Sequence, residues 1–140
     1  MAAPFTIKGI DHVVIRARDI GLMTRFYCEV LGCVLERAET DLGLFQLRAG
    51  RSLIDLVDVN GEIGQSGGAP PGDEGLNMDH LCIGIDPFNE ANLAEHLKAH
   101  GIVPGKIQNR YGAEGRGPSM YIRDPEDNMV ELKGPPSAEG

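Results

Sequence analysis

The sequence predicts an α+β fold built from two successive βαβββ modules on a mixed sheet. Three observations predict it. Short alternating strands and single amphipathic helices recur in the same order in both halves. The pair Asp11-His12, among β-branched neighbours, returns as Asp79-His80, and Ile54-Asp55-Leu56 returns as Val130-Glu131-Leu132. The 19 glycines and 9 prolines are clumped, most densely in 61–75 (GEIGQSGGAPPGDEG), a stretch unfit for regular structure. The reading is one 140-residue domain: module one at about 8–60, a linker at 61–76, and module two at about 77–134.

Taken in order, residues 10–16 (IDHVVIR) alternate as a strand. Asp19 is placed to cap a helix with Met23, Phe26, Tyr27 and Val30 on its apolar stripe, and Gly32 ends it. Strands are expected at 33–37, 43–48 and 52–58. In the second half, 79–85 is a strand, and Asp86-Pro87 is expected to start a helix. Leu93, Ala94 and Leu97 form that helix's stripe and Gly101 its end. Strands follow at 103–108, 119–123 and 129–133, with a loop around 109–118 and a loose tail from 134.

With 41% hydrophobic residues the chain can bury one core without staples. A net charge of −8 argues against nucleic acid or an anionic membrane surface as partner. It permits an anionic small molecule held by one or two cations. No apolar run is long enough to span a bilayer, and the start carries no secretory signal, so the expected location is cytoplasmic. Cys28, Cys33 and Cys82 form neither a disulfide framework nor a C-x-x-C pair.

Strand alternation assigns the chemistry. Val13, Ile15, Ile54, Leu56, Leu81, Ile83, Ile85, Val130 and Leu132 suit the face that packs on the helices. The opposite face carries His12, Arg16, Asp55, His80, Glu131 and Lys133. Two imidazoles and two carboxylates without thiolate are a donor set for a divalent metal (Ni, Co, Zn, Mn or Fe), and ligand type does not choose among these. His96 and His100 read as a solvated helix end. Cys82 alternates with His80 and so sits near the same face.

The segments IDHVVIRARDI, RFYCEVLG, SLIDLVDV, DHLCIGI and MYIRDPEDNMVEL, with the ending D-P-x-x-N-x-x-E, resemble the vicinal oxygen chelate superfamily. That superfamily contains glyoxalase I, methylmalonyl-CoA epimerase, fosfomycin-resistance enzymes, extradiol dioxygenases and metal-free bleomycin-resistance proteins. The resemblance implies a half-barrel-like sheet around one metal ion, held by His12, Asp55, His80 and Glu131. The ligand pattern is most similar to single-domain bacterial glyoxalase I, with Asp55 in a place where that family carries Glu. Asn60 falls one place from the asparagine that helps hold glutathione there.

The implied reaction is a lyase/isomerase step through an enediolate on a small substrate with vicinal oxygens, such as a glutathione hemithioacetal. Glu131 would be the base, Asp55 a ligand and second catalytic carboxylate, and Arg16 and Lys133 the anchors of a distal carboxylate. The resemblance leaves alternatives. His12, His80 and Glu131 match the two-His-one-carboxylate triad of Fe(II) extradiol dioxygenases, with Tyr121 matching a catalytic tyrosine. Gln108-Asn109-Arg110 with Tyr121 resembles fosfomycin-modifying enzymes. A metal-free sequestering protein would want an aromatic groove, and this chain has no Trp. Short chains of this superfamily usually pair, so a homodimer is expected.

Overall fold

The structure is a computed structural model, and it describes residues 3–137. The chain divides into two compact units, Met1–Pro70 and Pro71–Gly140. Each unit is a four-stranded mixed sheet with one α-helix, and the elements of each follow the order β, α, β, β, β.

In the first unit the strands are β1 His12–Ala17, β2 Val34–Glu39, β3 Leu44–Ala49 and β4 Ser52–Asp58, in the spatial order β1-β4-β3-β2. β1 and β4 are parallel, and the other pairings are antiparallel. Helix α1, Ile20–Arg25, starts on Asp19, whose carboxylate accepts from the Leu22 N–H at 3.0 Å. It widens into a π-helical turn, Phe26–Val30, before Gly32 reverses the chain at φ 79°. The wider turn keeps Phe26 and Tyr27 both in the core, their rings edge to face at 5.0 Å. Ile15, Ala17, Met23, Leu47, Ile54 and Leu56 of the same unit are buried too.

In the second unit β5 Leu81–Gly84, β6 Gln108–Gly112, β7 Gly115–Arg123 and β8 Met129–Lys133 lie in the order β5-β8-β7-β6. Again the first and last strands pair in parallel. Leu97 of helix α2, Glu90–Ala99, is buried, as are Met120, Ile122, Val130 and Leu132.

Four details differ from the sequence expectations. Helix α2 starts after Asn89, whose side chain accepts from the Asn92 N–H at 3.0 Å, and not at Asp86-Pro87. Residues 103–107 form no strand. Pro104 has no N–H to pair, and Gly105 lies so close to the Tyr121 carbonyl that no side chain fits. The expected loop around 109–118 is instead a hairpin, closed by Ala113-Glu114 between the paired Gly112 and Gly115. The start of the tail is tied to β7, with Gly134 N–H donating to the Pro118 carbonyl and Ser137 N–H to that of Arg116. Residues 138–140 of that tail lie outside the described residues.

Among the described residues, no helix is long and apolar enough to cross a membrane.

Candidate functional site

In the first unit the parallel register sets Val14 opposite Asp55 and His12 opposite Leu53. His12, Arg16 and Asp55 therefore share the face turned away from the helix. Gln46 of β3 stands opposite Asp55, and its Nε2 lies 3.4 and 3.3 Å from the two carboxylate oxygens. Asp55 is buried, while His12 is exposed. His12 Nδ1 lies 2.7 Å from Asp11 Oδ1, which leaves Nε2 pointing away from that contact. The hydrogen bond to Asp11, followed by the charge of Asp55, raises the His12 pKa above its ordinary value.

Arg16 is engaged by the linker. Its Nη1 and Nη2 donate to the Gly68 and Ala69 carbonyls at 3.1 and 2.9 Å. Gly67 passes close by, so that an added Cβ would lie 2.7 Å from Nη1.

The second unit repeats the arrangement with more contacts. Cys82 and Tyr121 flank Glu131 across the ladder, one from each neighbouring strand. His80 Nδ1 lies 2.6 Å from Asp79 Oδ2, and its Nε2 lies 3.2 Å from Glu131 Oε1. Ser119 Oγ donates to Glu131 Oε2 at 2.7 Å. The His80 ring meets the Tyr121 ring edge-on at 5.4 Å.

Burial alone pushes the Glu131 carboxyl up. Hydrogen bonds from Ser119 and Tyr121, the His80 charge and the Cys82 thiol together outweigh it, so the pKa is lowered from its ordinary value. The same neighbourhood pushes the Cys82 thiol up to about 11, through burial first and then the charge and hydrogen bond of Glu131. Lys133, also on this face, is buried. Its stem packs over Gly112, where a Cβ would come within 2.8 Å of Cε, and Nζ reaches the Gly134 carbonyl at 3.5 Å. Lys133, expected as an anchor for a distal carboxylate, is thus a buried ammonium against backbone.

Asp11, Asp79, Gln46 and Ser119 are the neighbours that strand alternation did not assign. The repeated Asp-His dipeptide was the available signal for the first two, because a carboxylate beside a ligating imidazole fixes its orientation. Cross-strand partners depend on register, which alternation does not give. His96 and His100 are exposed, with rings 4.7 Å apart at the end of α2.

Among the described residues, no three His, Cys, Asp or Glu side chains gather as a metal-holding group. The candidate ligands come as two pairs, one in each unit. The donors themselves fit a divalent ion. The 3.2 Å between His80 Nε2 and Glu131 Oε1 is a spacing available to two donors each about 2.1 Å from a common ion. Both imidazoles also carry the carboxylate partner on Nδ1 that metal-bound histidines use.

A duplicated βαβββ unit with a His-carboxylate pair on each sheet defines the class. Residues 9–132 match the family model of the Glyoxalase/Bleomycin resistance protein/Dioxygenase superfamily, and the chain belongs to that superfamily. It is 35% identical over 130 residues to Virulence protein STM3117 of Salmonella typhimurium (strain LT2), covering 90% of this chain and 83% of that protein. The crystal structure of that relative superposes with a TM-score of 0.78 at 27% identity, over 94% of this chain and 100% of that one. The Glyoxalase domain-containing protein RDO1 of Mycosarcoma maydis is 31% identical over 130 residues, 91% of this chain and 68% of its own. A Lactoylglutathione lyase from Agrobacterium tumefaciens shares the fold, with a TM-score of 0.63 at 22% identity over 91% of this chain and 94% of that one.

Proposed function

We propose that the chain is a divalent-metal-dependent enzyme of the glyoxalase type, a lyase/isomerase acting on a small substrate with vicinal oxygens. His12, Asp55, His80 and Glu131 hold the metal in this reading, within a homodimer. One observation carries it: each unit sets a histidine and a carboxylate on one sheet face, and in each the His Nδ1 is engaged by the preceding aspartate. A purely structural sheet has no use for that arrangement twice.

A bound dication supplies Lewis-acid stabilisation of negative charge on the substrate's vicinal oxygens. The protein's part is proton handling and orientation. Glu131, kept below its ordinary pKa by its donors, is ionised at neutral pH and accepts the proton from the carbon beside the carbonyl. The electron pair of that C–H bond moves onto the carbonyl oxygen. Return of the proton from Glu131 to the neighbouring carbon, with the hydroxyl proton passing from the first oxygen to the second, completes a 1,2-shift. Ser119, bonded to Oε2, fixes the carboxylate so that Oε1 faces His80. Asp55 serves as a ligand, with Gln46 orienting it.

The test is an assay with methylglyoxal and glutathione across Ni, Co, Zn, Mn and Fe, run beside metal analysis of chelator-free protein. Stoichiometric metal that is lost in the Asp55→Ala/Glu131→Ala variant supports the ligand set; equal metal in both sinks it. A second reading has its own observation. Tyr121 hydrogen-bonds Glu131 and packs its ring against His80, the neighbourhood expected of a tyrosine in an extradiol-type Fe(II) dioxygenase. Oxygen uptake with catechols on iron-loaded protein, without methylglyoxal turnover, selects that reading.

A further inference from the structure

Arg37 stands on the outermost strand of the first unit, in a row of side chains that crosses the whole sheet. The register sets Arg37 opposite Gln46, Gln46 opposite Asp55, and Asp55 opposite Val14. A bulge in β2 makes this row. Val34 and Leu35 pair with Arg48 and Leu47, so unbroken pairing would bring Glu36 to Gln46. One residue is skipped instead, and Arg37 takes that place. Glu36 is held by Arg48, whose Nε and Nη2 donate to its two oxygens at 3.1 and 2.8 Å.

The exchange decides what Gln46 can do. A primary amide has one accepting end and one donating end. Asp55 is buried, and Gln46 Nε2 is its only hydrogen-bond donor among the described residues. Arg37 Nη1 donates to Gln46 Oε1 at 3.3 Å, and its Nη2 is braced on Glu39. A guanidinium only donates, so it holds the amide with Oε1 outward and Nε2 toward Asp55. A carboxylate in that place would draw the donating end away from Asp55. Polarised by the cation, the amide is also a stronger donor. The second unit repeats the order of parts. Arg110, on its outermost strand, stacks 4.6 Å from the Tyr121 ring centroid, and Tyr121 hydrogen-bonds Glu131.

We propose that Arg37 is a positioning residue for Asp55, acting through Gln46, and that the β2 bulge is the device that delivers it. The inference rests on the proposed function in taking Asp55 as a metal ligand. A relay and bare electrostatics differ here in sign. A lone cation near the site repels a dication, so its loss would tighten metal binding. Loss of the relay loosens a ligand carboxylate and weakens metal binding.

Zinc affinity is measured by competition with a chromophoric chelator in the wild type, Arg37→Ala, Gln46→Met and the double variant. Arg37→Ala is expected to weaken zinc binding about tenfold, and to add nothing in the Gln46→Met background. Arg37 is exposed, and Arg37→Met is the second truncation should Arg37→Ala not fold. Unchanged or tighter binding, or the same loss with and without Gln46, overturns the assignment. The Gln46 side-chain N–H signals, followed by NMR in chelator-treated protein, give a readout that needs no metal. They are expected to exchange with water slowly in the wild type and faster in Arg37→Ala; identical exchange overturns the relay. A wild type that takes up no zinc yet shows this Gln46 effect upholds the relay and removes the metal reading.

Discussion

Glu131 shows how four small contacts reverse the effect of burial. Its carboxylate is almost fully enclosed, yet Ser119, Tyr121, His80 and Cys82 hold its pKa below the ordinary value. A carboxyl depressed on folding adds stability above its unfolded pKa, near 4.3, and loses it as the pH falls through the folded value. In chelator-treated protein, acid titration followed by circular dichroism therefore has a component below about pH 4.3 that Glu131→Gln removes. An unchanged acid limb in that variant counts against the hydrogen-bonding account. The partner thiol gives a second readout. With its pKa pushed up to about 11, Cys82 is a poor nucleophile at neutral pH. Iodoacetamide labelling of the Cys82 peptide rises steeply only toward that pH, and Glu131→Gln shifts the rise to lower pH. Rapid labelling at neutral pH contradicts that neighbourhood.

At the scale of elements, the turn from β7 to β8 explains why the D-P-x-x-N-x-x-E segment reads so clearly. Asp124 Oδ1 accepts from the Glu126 and Asn128 backbone N–H groups, and Oδ2 accepts from Asn128 Nδ2 at 2.8 Å. Asn77 donates to Asn128 Oδ1 at 3.0 Å, and Asp127 takes the left-handed conformation at φ 65°. This turn fixes the register of β8, and with it the face on which Glu131 emerges. Asp124→Ala leaves three donors without their acceptor, two of them buried, and costs about 2–3 kcal/mol by urea unfolding. Asp127→Val costs about 1–2 kcal/mol, while Asp127→Gly is tolerated, because glycine adopts positive φ freely. Equal loss in both Asp127 variants would assign the turn's stability to the side chain and not to the backbone.

The same elements show what the sequence carried. The bounds of β4 and β8 are those expected, because alternation and flanking polar residues agree there. The π-helical turn after α1 was hidden, since a 3.6-residue period fits Met23, Phe26 and Tyr27 with or without it. The face shared by His12 and Asp55, and that shared by His80 and Glu131, follow from alternation alone. The donors that contact the carboxylates do not: Gln46 and Ser119 are brought in by register, which depends on side-chain packing across strands.

For the whole molecule, duplication is the fact on which the proposed metal site rests. Each unit supplies one histidine, one carboxylate and one aspartate on the histidine's Nδ1, and a lone pair of donors is too few to retain a divalent ion. Both units are needed in the proposed site, so damage to either should show the same phenotype. Asp11→Asn and Asp79→Asn leave all four proposed ligands in place while weakening the hold on imidazole orientation. Each is expected to lower metal affinity about 10–100-fold, measured by competition with a chromophoric chelator. The linked effect is on stability. Metal at about a hundred times its dissociation constant adds about 2.7 kcal/mol to the wild type, and chelation removes it. At the same metal concentration both variants lose about half or more of that increment, with metal-free melting temperatures close to wild type, since Asp11 and Asp79 are exposed. A deficit confined to one variant would mean that only one unit contributes a ligand. That result would count against the four-ligand site and equally against the triad of His12, His80 and Glu131, since each draws on both units.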